Sequence, residues 1–286
     1  MTNLNTLSLL AAGTCALTVA SMATAGVVSL TGNSYSQNFQ TFGTGSVTNA
    51  VVPALTMTEA STLTGGGTVT GWYVYGQGYT TTNTKWIPQD TGTYNYGGFR
   101  SMYSLASGNT GNYAFGAQGS ASATPLYYGV VIQNNTGADI TGATISFEGF
   151  MNRYPSSTVN TTSFSYLISS TALATAQGAL AGTFSGSAGS WKAVSGLGFS
   201  TPSTGIGAPR DPQNVIQPML SLGNKSAALS GFRWASGAYL YLRWTDLDET
   251  GNDATMGVDN FSISVPAPGA LTLLGVAGVL GARKRR

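Results

Sequence analysis

Histidine is absent from the 286 residues, and cysteine occurs once, at Cys15. Without an imidazole, the chain cannot form a Ser-His-Asp triad, a Cys-His pair or a zinc site with histidine ligands. Catalysis would have to use carboxylates, and the acid-base candidates for a glycoside hydrolase are Glu59, Glu148 and Glu249. Nothing in the sequence places two of them across a cleft, so we predict a non-catalytic protein and keep a carboxylate-based hydrolase as the alternative.

Charged residues are also scarce, at 8% of the chain, with 12 basic and 10 acidic side chains. Four of the basic residues are the last four, Arg283, Lys284, Arg285 and Arg286. The remainder therefore has a small excess of acidic residues. Nucleic-acid binding requires Lys and Arg clustered on one face, so we predict no nucleic-acid partner.

Residues 26–264 contain no segment of helical period longer than a couple of turns. Short β-prone runs, separated by Gly, Asn, Ser and Pro, are present instead. The clearest are GWYVYG from Gly71, PLYYGVVIQNN from Pro125, ATISFEGF from Ala143, TSFSYLIS from Thr162, WKAV from Trp191, AYLYLRWTDL from Ala238 and VDNFSISV from Val258. The sequence predicts an all-β fold, a single antiparallel, jelly-roll-like β sandwich over residues 26–264.

Two of these runs alternate clearly. Leu240, Leu242 and Trp244 share one face of their strand, and Phe261 and Ile263 alternate with serines up to Val265. Because successive side chains of a strand point to opposite faces, these apolar sets should face the core.

The N-terminus has the features of a signal peptide over residues 1–25. Residues 7–20 are uncharged and mostly apolar, and the small residues Ala23, Thr24 and Ala25 follow. We expect cleavage before Gly26, which would remove Cys15. The predicted partners are the Sec translocon and signal peptidase.

The C-terminus, residues 265–286, reads VPAPGALTLLGVAGVLGARKRR. A proline motif at Val265, Pro266 and Pro268 precedes an apolar run over residues 270–282 and the four basic residues. As a helix, that run would reach roughly 20 Å, or about 27 Å from residue 265, close to the ~30 Å hydrocarbon core. The basic residues would stay cytoplasmic, leaving the body outside.

This three-part order resembles the PEP-CTERM sorting signal of bacterial surface proteins, a tail processed by the membrane enzyme exosortase. Members usually read Pro-Glu-Pro where this chain has Pro266-Ala267-Pro268. The resemblance implies an exosortase-like partner and a protein that is held briefly at the inner membrane and then reaches the cell surface or extracellular matrix. The alternative is an ordinary membrane-anchoring helix.

The end of the body, LYLRWTDLDETGNDATMGVDNFSIS from Leu240, resembles a β-sandwich module of uncharacterised bacterial surface and secreted proteins. Members commonly carry a histidine where this chain has Ala254. The resemblance implies a sandwich architecture and leaves the activity undefined.

Five of the ten acidic residues lie within residues 246–259. The pattern begins like a calcium loop, with Asp246, Asp248 and the turn residue Gly251, but lacks the glutamate that ends an EF-hand. We take Ca²⁺ as the candidate cofactor; the alternative is a solvated acidic turn. The candidate ligands are Asp246, Asp248, Asp253 and Asp259.

Nine of the 30 aromatic residues lie between Trp72 and Tyr103. Exposed Trp and Tyr rings can stack on sugars, and we predict Trp86, Tyr94 and Tyr96 as such a platform for an exopolysaccharide. The alternative is that most of these rings fill the core. The sequence thus favours an exported, membrane-sorted, non-catalytic surface or matrix protein that binds carbohydrate.

Overall fold

The computed structural model describes residues 26–42, 50–51, 58–63, 67–76, 85–90, 97–104, 111–173, 190–204 and 219–267. The predicted signal peptide and the predicted sorting helix with its basic residues lie outside these ranges. Within them, no helix is long and apolar enough to cross a membrane.

The described residues form β-strands joined by turns, with two short 3-10 turns at Ala60–Thr62 and Ser195–Leu197. The strands are β1 (Val28–Leu30), β2 (Ser34–Gln37), β3 (Ala50–Val51), β4 (Thr58–Glu59), β5 (Trp72–Gly76), β6 (Lys85–Asp90), β7 (Gly98–Ser104), β8 (Asn112–Gln118), β9 (Leu126–Asn134), β10 (Ile140–Arg153), β11 (Thr161–Ser169), β12 (Lys192–Ala193), β13 (Phe199–Ser200), β14 (Leu220–Trp234), β15 (Tyr239–Asp246) and β16 (Thr255–Ser264). The all-β prediction is confirmed.

The strands form two eight-stranded sheets. Sheet A has the order β12-β11-β15-β9-β5-β4, with β1 added to β9 and β13 to β11. Sheet B has the order β14-β10-β16-β8-β7-β6-β3, with β2 added to β16. The long strands β9, β10, β11, β14, β15 and β16 therefore alternate between the sheets.

The predicted antiparallel pairing is confirmed for most strand pairs, but the sheets are mixed. Strand β1 pairs in parallel with β9, and β6 pairs in parallel with β7. A tight hairpin turn forces antiparallel pairing, but a strand that reaches its neighbour through a long connection has no such constraint. Strand β1 pairs with β9, which lies about a hundred residues later in the chain, so the connection allows parallel or antiparallel pairing.

One aromatic-rich core fills the space between the sheets. Trp244 lies at its centre, stacked on Trp72 and Tyr128 with ring centroids 5.9 Å and 5.8 Å away. Leu240 and Leu242 are fully buried beside it, as the alternation predicts. Burial of this apolar surface is the main stabilising contribution to the fold.

The sandwich extends slightly into the predicted sorting motif. Phe261, Ile263 and Val265 are buried in the core, as their alternation predicts, and the Val265 N–H donates to the Asn33 carbonyl at 2.8 Å. Pro266 is exposed. Val265 is therefore part of the folded body.

Candidate functional site

An acidic pocket lies at the end of the sandwich where β15 ends and β16 begins. The alternation that turns Leu240, Leu242 and Trp244 inward continues to Asp246, which is only 1% exposed. The loop of residues 247–254 then returns the chain to β16. A carboxylate thus occupies a core-facing position at the open edge of the sandwich.

Asp253 is the second buried carboxylate, with 3% of its surface exposed. Its Oδ1 accepts hydrogen bonds from the Glu249 N–H at 3.2 Å and from Asn160 Nδ2 at 3.4 Å. Asn160 also accepts a hydrogen bond from the Ala254 N–H. These contacts fold the loop onto the start of β11 and fix the orientation of Asp253.

The pocket has a volume of about 380 Å³. One wall is Gln118 to Ala121, and the other is Asp248 to Asp253. The walls approach closely at Gly119, where an added Cβ would lie 2.1 Å from the Leu247 carbonyl oxygen. Gly251 has a φ of +98°, so it supplies the sharp turn predicted for this loop.

Several oxygens in this pocket and beside it are buried without a hydrogen-bond partner among the described residues. They are Oδ2 of Asp246, Oδ2 of Asp253, Oε2 of Glu249 and Oγ of Ser120. Buried polar atoms in folded proteins nearly always have a partner, and an exception indicates strain or a ligand.

The carboxylates of the pocket also raise one another's pKa. Burial raises the pKa of Asp246 well above its ordinary range, and Glu249 and Asp253 raise it further. Burial and Glu249 raise the pKa of Asp253 to about 7, and the adjacent Asp248 carboxyl adds to the effect. Burial also raises the pKa of Glu249. The negative charge of these carboxylates is therefore poorly balanced by nearby positive groups.

Of the four predicted calcium ligands, Asp248 and Asp253 line this pocket, together with Glu249, which the prediction left out. Asp246 and Asp253 are buried, and Asp248 is exposed at the rim. Within the described part of the chain, no three Asp or Glu side chains are already arranged as a metal centre.

The prediction that Asp259 is a fourth ligand is wrong. Asp259 lies on β16, roughly 20 Å along the strand from Asp253, and it pairs with Glu148 of β10. Alternation from the core residue Val258 places Asp259 on the opposite face of sheet B, and a bulge at Asn260, whose φ is 51°, then returns Phe261 to the core. Burial raises its pKa to about 7, and Glu148 adds to the effect.

The predicted aromatic platform is wrong at Trp86. Its indole is fully buried in the core, 5.8 Å from the Phe42 ring and 6.1 Å from the Phe115 ring. Alternation along β6 directs this side chain between the sheets, so it cannot stack on a ligand. Tyr94 and Tyr96 lie outside the described residues.

The three candidate catalytic glutamates lie in three different parts of the fold. Glu59 lies on β4 of sheet A and accepts hydrogen bonds from the N–H groups of Gly26 and Gly71. Glu148 lies on β10 of sheet B and accepts a hydrogen bond from the Ser221 hydroxyl. Glu249 lines the acidic pocket.

A second aromatic surface, which the sequence reading missed, lies on the outer face of sheet A. Its buried members are Tyr73, Tyr75, Tyr127, Val131, Leu167 and Tyr241, with Trp191 and Tyr239 half-buried beside them. These residues alternate with the core-facing ones of β5, β9, β11 and β15. The sheet is therefore apolar on both faces.

Arg243 is held between two rings on this face. Its guanidinium carbon lies 3.9 Å from the Trp191 ring centroid and 4.8 Å from the Tyr127 centroid. Its Nε donates to the Ser165 hydroxyl at 2.9 Å. Burial lowers the pKa of Arg243 to about 10, so the group stays charged at neutral pH. We call Trp191, Arg243 and Tyr127 the Arg243 platform.

A glycine leaves space beside this platform. Gly129 is the cross-strand partner of both Arg243 and Tyr73, so the face has no side chain between them. An added Cβ at Gly129 would lie 2.0 Å from the Leu242 carbonyl oxygen. The close approach of β9 and β15 therefore requires glycine.

No protein-family model matches the chain, and no curated protein matches it. Among solved structures, the K2 cleaved adhesin domain of Lys-gingipain is similar with a TM-score of 0.37 and 14% identity, over 82% of this chain and 98% of that one. TmCBM61 in complex with beta-1,4-galactotriose gives 0.32 and 10%, over 68% and 88%. The K1 cleaved adhesin domain of Lys-gingipain from Porphyromonas gingivalis W83 gives 0.31 and 14%, over 82% and 100%. Likeness at this level assigns neither a family nor a ligand to this chain.

Proposed function

We propose that this chain is an exported, non-catalytic protein of the cell surface or extracellular matrix, which binds polysaccharide through the Arg243 platform. The observation that carries the proposal is the guanidinium of Arg243 held between the rings of Trp191 and Tyr127 on an otherwise tyrosine-rich face.

The chemistry of the platform suits a sugar. The half-buried Trp191 offers part of a flat apolar ring to the C–H face of a pyranose, and the half-buried Arg243 guanidinium donates hydrogen bonds to hydroxyl groups. The Tyr127 ring is buried and supports the guanidinium. The contacts to both rings and to Ser165 hold Arg243 in one position, so little side-chain entropy remains to be lost on binding. Tyrosine hydroxyls on the same face add donors and acceptors.

Export is supported by the two terminal signals of the sequence. The predicted leader, residues 1–25, and the predicted sorting segment, residues 265–286, flank the sandwich in the sequence. The proposal includes passage through the Sec translocon, cleavage by signal peptidase, and handling of the proline-containing tail by an exosortase-like enzyme.

A glycan array probed with the purified protein tests the binding function. We expect Arg243→Gln to weaken binding to the recognised glycan at least tenfold, because it removes the charge and the planar donors. Arg233→Gln is the matched control, since Arg233 is exposed and bonds to Asp139 at 2.6 Å away from the platform.

The same protein is incubated with the recognised glycan to look for hydrolysis. We expect no release of shorter products. Turnover that is abolished by Glu249→Gln or Glu148→Gln would favour the carboxylate-based hydrolase, and absence of both binding and turnover would contradict the carbohydrate function.

A further inference from the structure

The acidic pocket carries an inference that is independent of the Arg243 platform. We propose that it binds one Ca²⁺ ion, with the buried Asp253 and the half-buried Glu249 as carboxylate ligands. Asp248 lines the rim of the same pocket, and Asp246 is buried beside it.

Asp253 is the first reason. One of its oxygens is held by two N–H donors, and the other is buried without a partner among the described residues. The side chain is 97% buried and lines the pocket, with the unpartnered oxygen facing Gly119. A carboxylate fixed in this way is oriented to bind a cation.

The charge balance is the second reason. The positive group that acts on Asp246 is Arg100, and Arg100 is already paired with Asp90 at 2.8 Å, with both side chains fully buried. The sequence has no Lys or Arg between Arg243 and Arg283. Three neighbouring carboxylates therefore share little compensating charge, and a divalent cation would supply it.

The donor types favour calcium. The unpartnered atoms in and beside the pocket are all oxygens, and the chain has no histidine and no cysteine other than Cys15 to select zinc or copper. Calcium accepts six to eight oxygens in irregular geometry, including carbonyl groups and water, whereas magnesium requires a near-ideal octahedron. The pocket offers carboxylates, the Ser120 hydroxyl and room for water.

The position of the pocket gives the ion a structural role. Gln118 and Gly119 follow β8 of sheet B, Asp246 ends β15 of sheet A, and Asp253 precedes β16 of sheet B. An ion bound here would join both sheets at the open end of the sandwich. Calcium binding should therefore stabilise the whole body.

Thermal unfolding of the purified full-length protein tests the proposal. At a Ca²⁺ concentration a hundredfold above the dissociation constant, we expect the midpoint to rise by roughly 5 to 10 °C relative to EDTA. Equal concentrations of Mg²⁺ should give a smaller shift, and equilibrium dialysis should give one Ca²⁺ per chain. Identical midpoints in Ca²⁺ and EDTA would overturn the proposal.

Asp253→Asn gives a diagnostic pattern, because it keeps the hydrogen bonds to Oδ1 and removes one charge. In EDTA the variant should melt at or above the wild type, since repulsion is relieved, but Ca²⁺ should no longer raise its midpoint. Asp259→Asn is the matched control, a buried carboxylate outside the pocket that should keep the full shift. If Asp253→Asn does not fold, Glu249→Gln, at a half-buried position, serves as a second variant in which the Ca²⁺-dependent rise of the midpoint should be lost. A full Ca²⁺ shift in either pocket variant would overturn the assignment.

Discussion

At the scale of single residues, Asp259 shows the cost of burying a carboxylate beside another one. Its pKa in the folded protein is about 7, because of burial and then of Glu148, against an ordinary value near 3.8. The folded state therefore holds this proton more tightly than the unfolded state. The resulting destabilisation is absent below about pH 4, grows as the pH rises towards 7, and is constant above that.

We predict that Asp259→Asn removes this pH-dependent loss. At pH 8 the variant should be more stable than the wild type by about 4 kcal/mol, and near pH 4 the two proteins should be equal. Denaturant unfolding in EDTA at both pH values measures the difference.

The control for this prediction is Asp139→Asn. The hydrogen bond from Arg233 and the one from the Ser236 N–H lower the pKa of Asp139, so its substitution should not stabilise the protein at pH 8. A gain for Asp259→Asn that is the same at pH 4 and pH 8 would contradict the assignment to a raised pKa.

At the scale of elements, alternation within a strand predicted which residues share a face but not what covers each face. Leu240, Leu242 and Trp244 of β15 were correctly assigned to the core. No prediction was made for the opposite face of this strand, where Tyr241 is only 2% exposed. Alternation cannot show coverage of a second face, because the covering residues come from distant parts of the chain.

Trp86 and Asp259 were misplaced for related reasons. Both predictions used closeness in sequence: Trp86 was grouped with nearby loop tyrosines, and Asp259 with the acidic loop. A strand sends neighbouring residues to opposite faces and carries the chain about 3.3 Å per residue. Closeness in sequence therefore grouped Asp248 and Asp253 correctly in one pocket, where the chain turns, and failed where the chain is extended.

Gly129 gives a test of how tightly β9 and β15 are packed. We predict that Gly129→Ala destabilises the protein by about 2 to 3 kcal/mol, because the new Cβ would lie 2.0 Å from the Leu242 carbonyl oxygen and would force the strands apart. Gly142→Ala, in strand β10, is the matched control, because the atom nearest to its added Cβ, the Leu229 carbonyl oxygen, is 3.4 Å away. Equal losses in both variants, measured by urea unfolding, would show that β9 and β15 are not in such close contact.

At the scale of the whole molecule, Gly26 is both the predicted first residue after signal-peptide cleavage and a hydrogen-bond donor within the folded body. Its backbone N–H donates to Glu59 Oε2 at 3.1 Å. Cleavage by signal peptidase before Gly26 would replace this N–H by an α-ammonium group. The hydrogen bond would then become an ion pair, and charge-assisted hydrogen bonds are the stronger kind.

We predict that Glu59→Gln destabilises a chain beginning at Gly26 by about 1 kcal/mol more than it destabilises a chain that keeps Ala25. The extended chain is the control, because its Gly26 nitrogen remains an uncharged amide. Midpoints of unfolding at pH 6 measure the difference. Equal losses in the two backgrounds would show that the new terminus does not pair with Glu59.

The claim that this sandwich binds polysaccharide without cleaving it is tested most directly by size-exclusion chromatography of the purified protein mixed with the glycan polymer that the array identifies. We predict that the wild type co-elutes with the polymer, that Arg243→Gln elutes separately, and that the elution volume of the polymer stays constant over a day of incubation. A wild-type protein that elutes alone, or a polymer that becomes shorter with time, would contradict the claim.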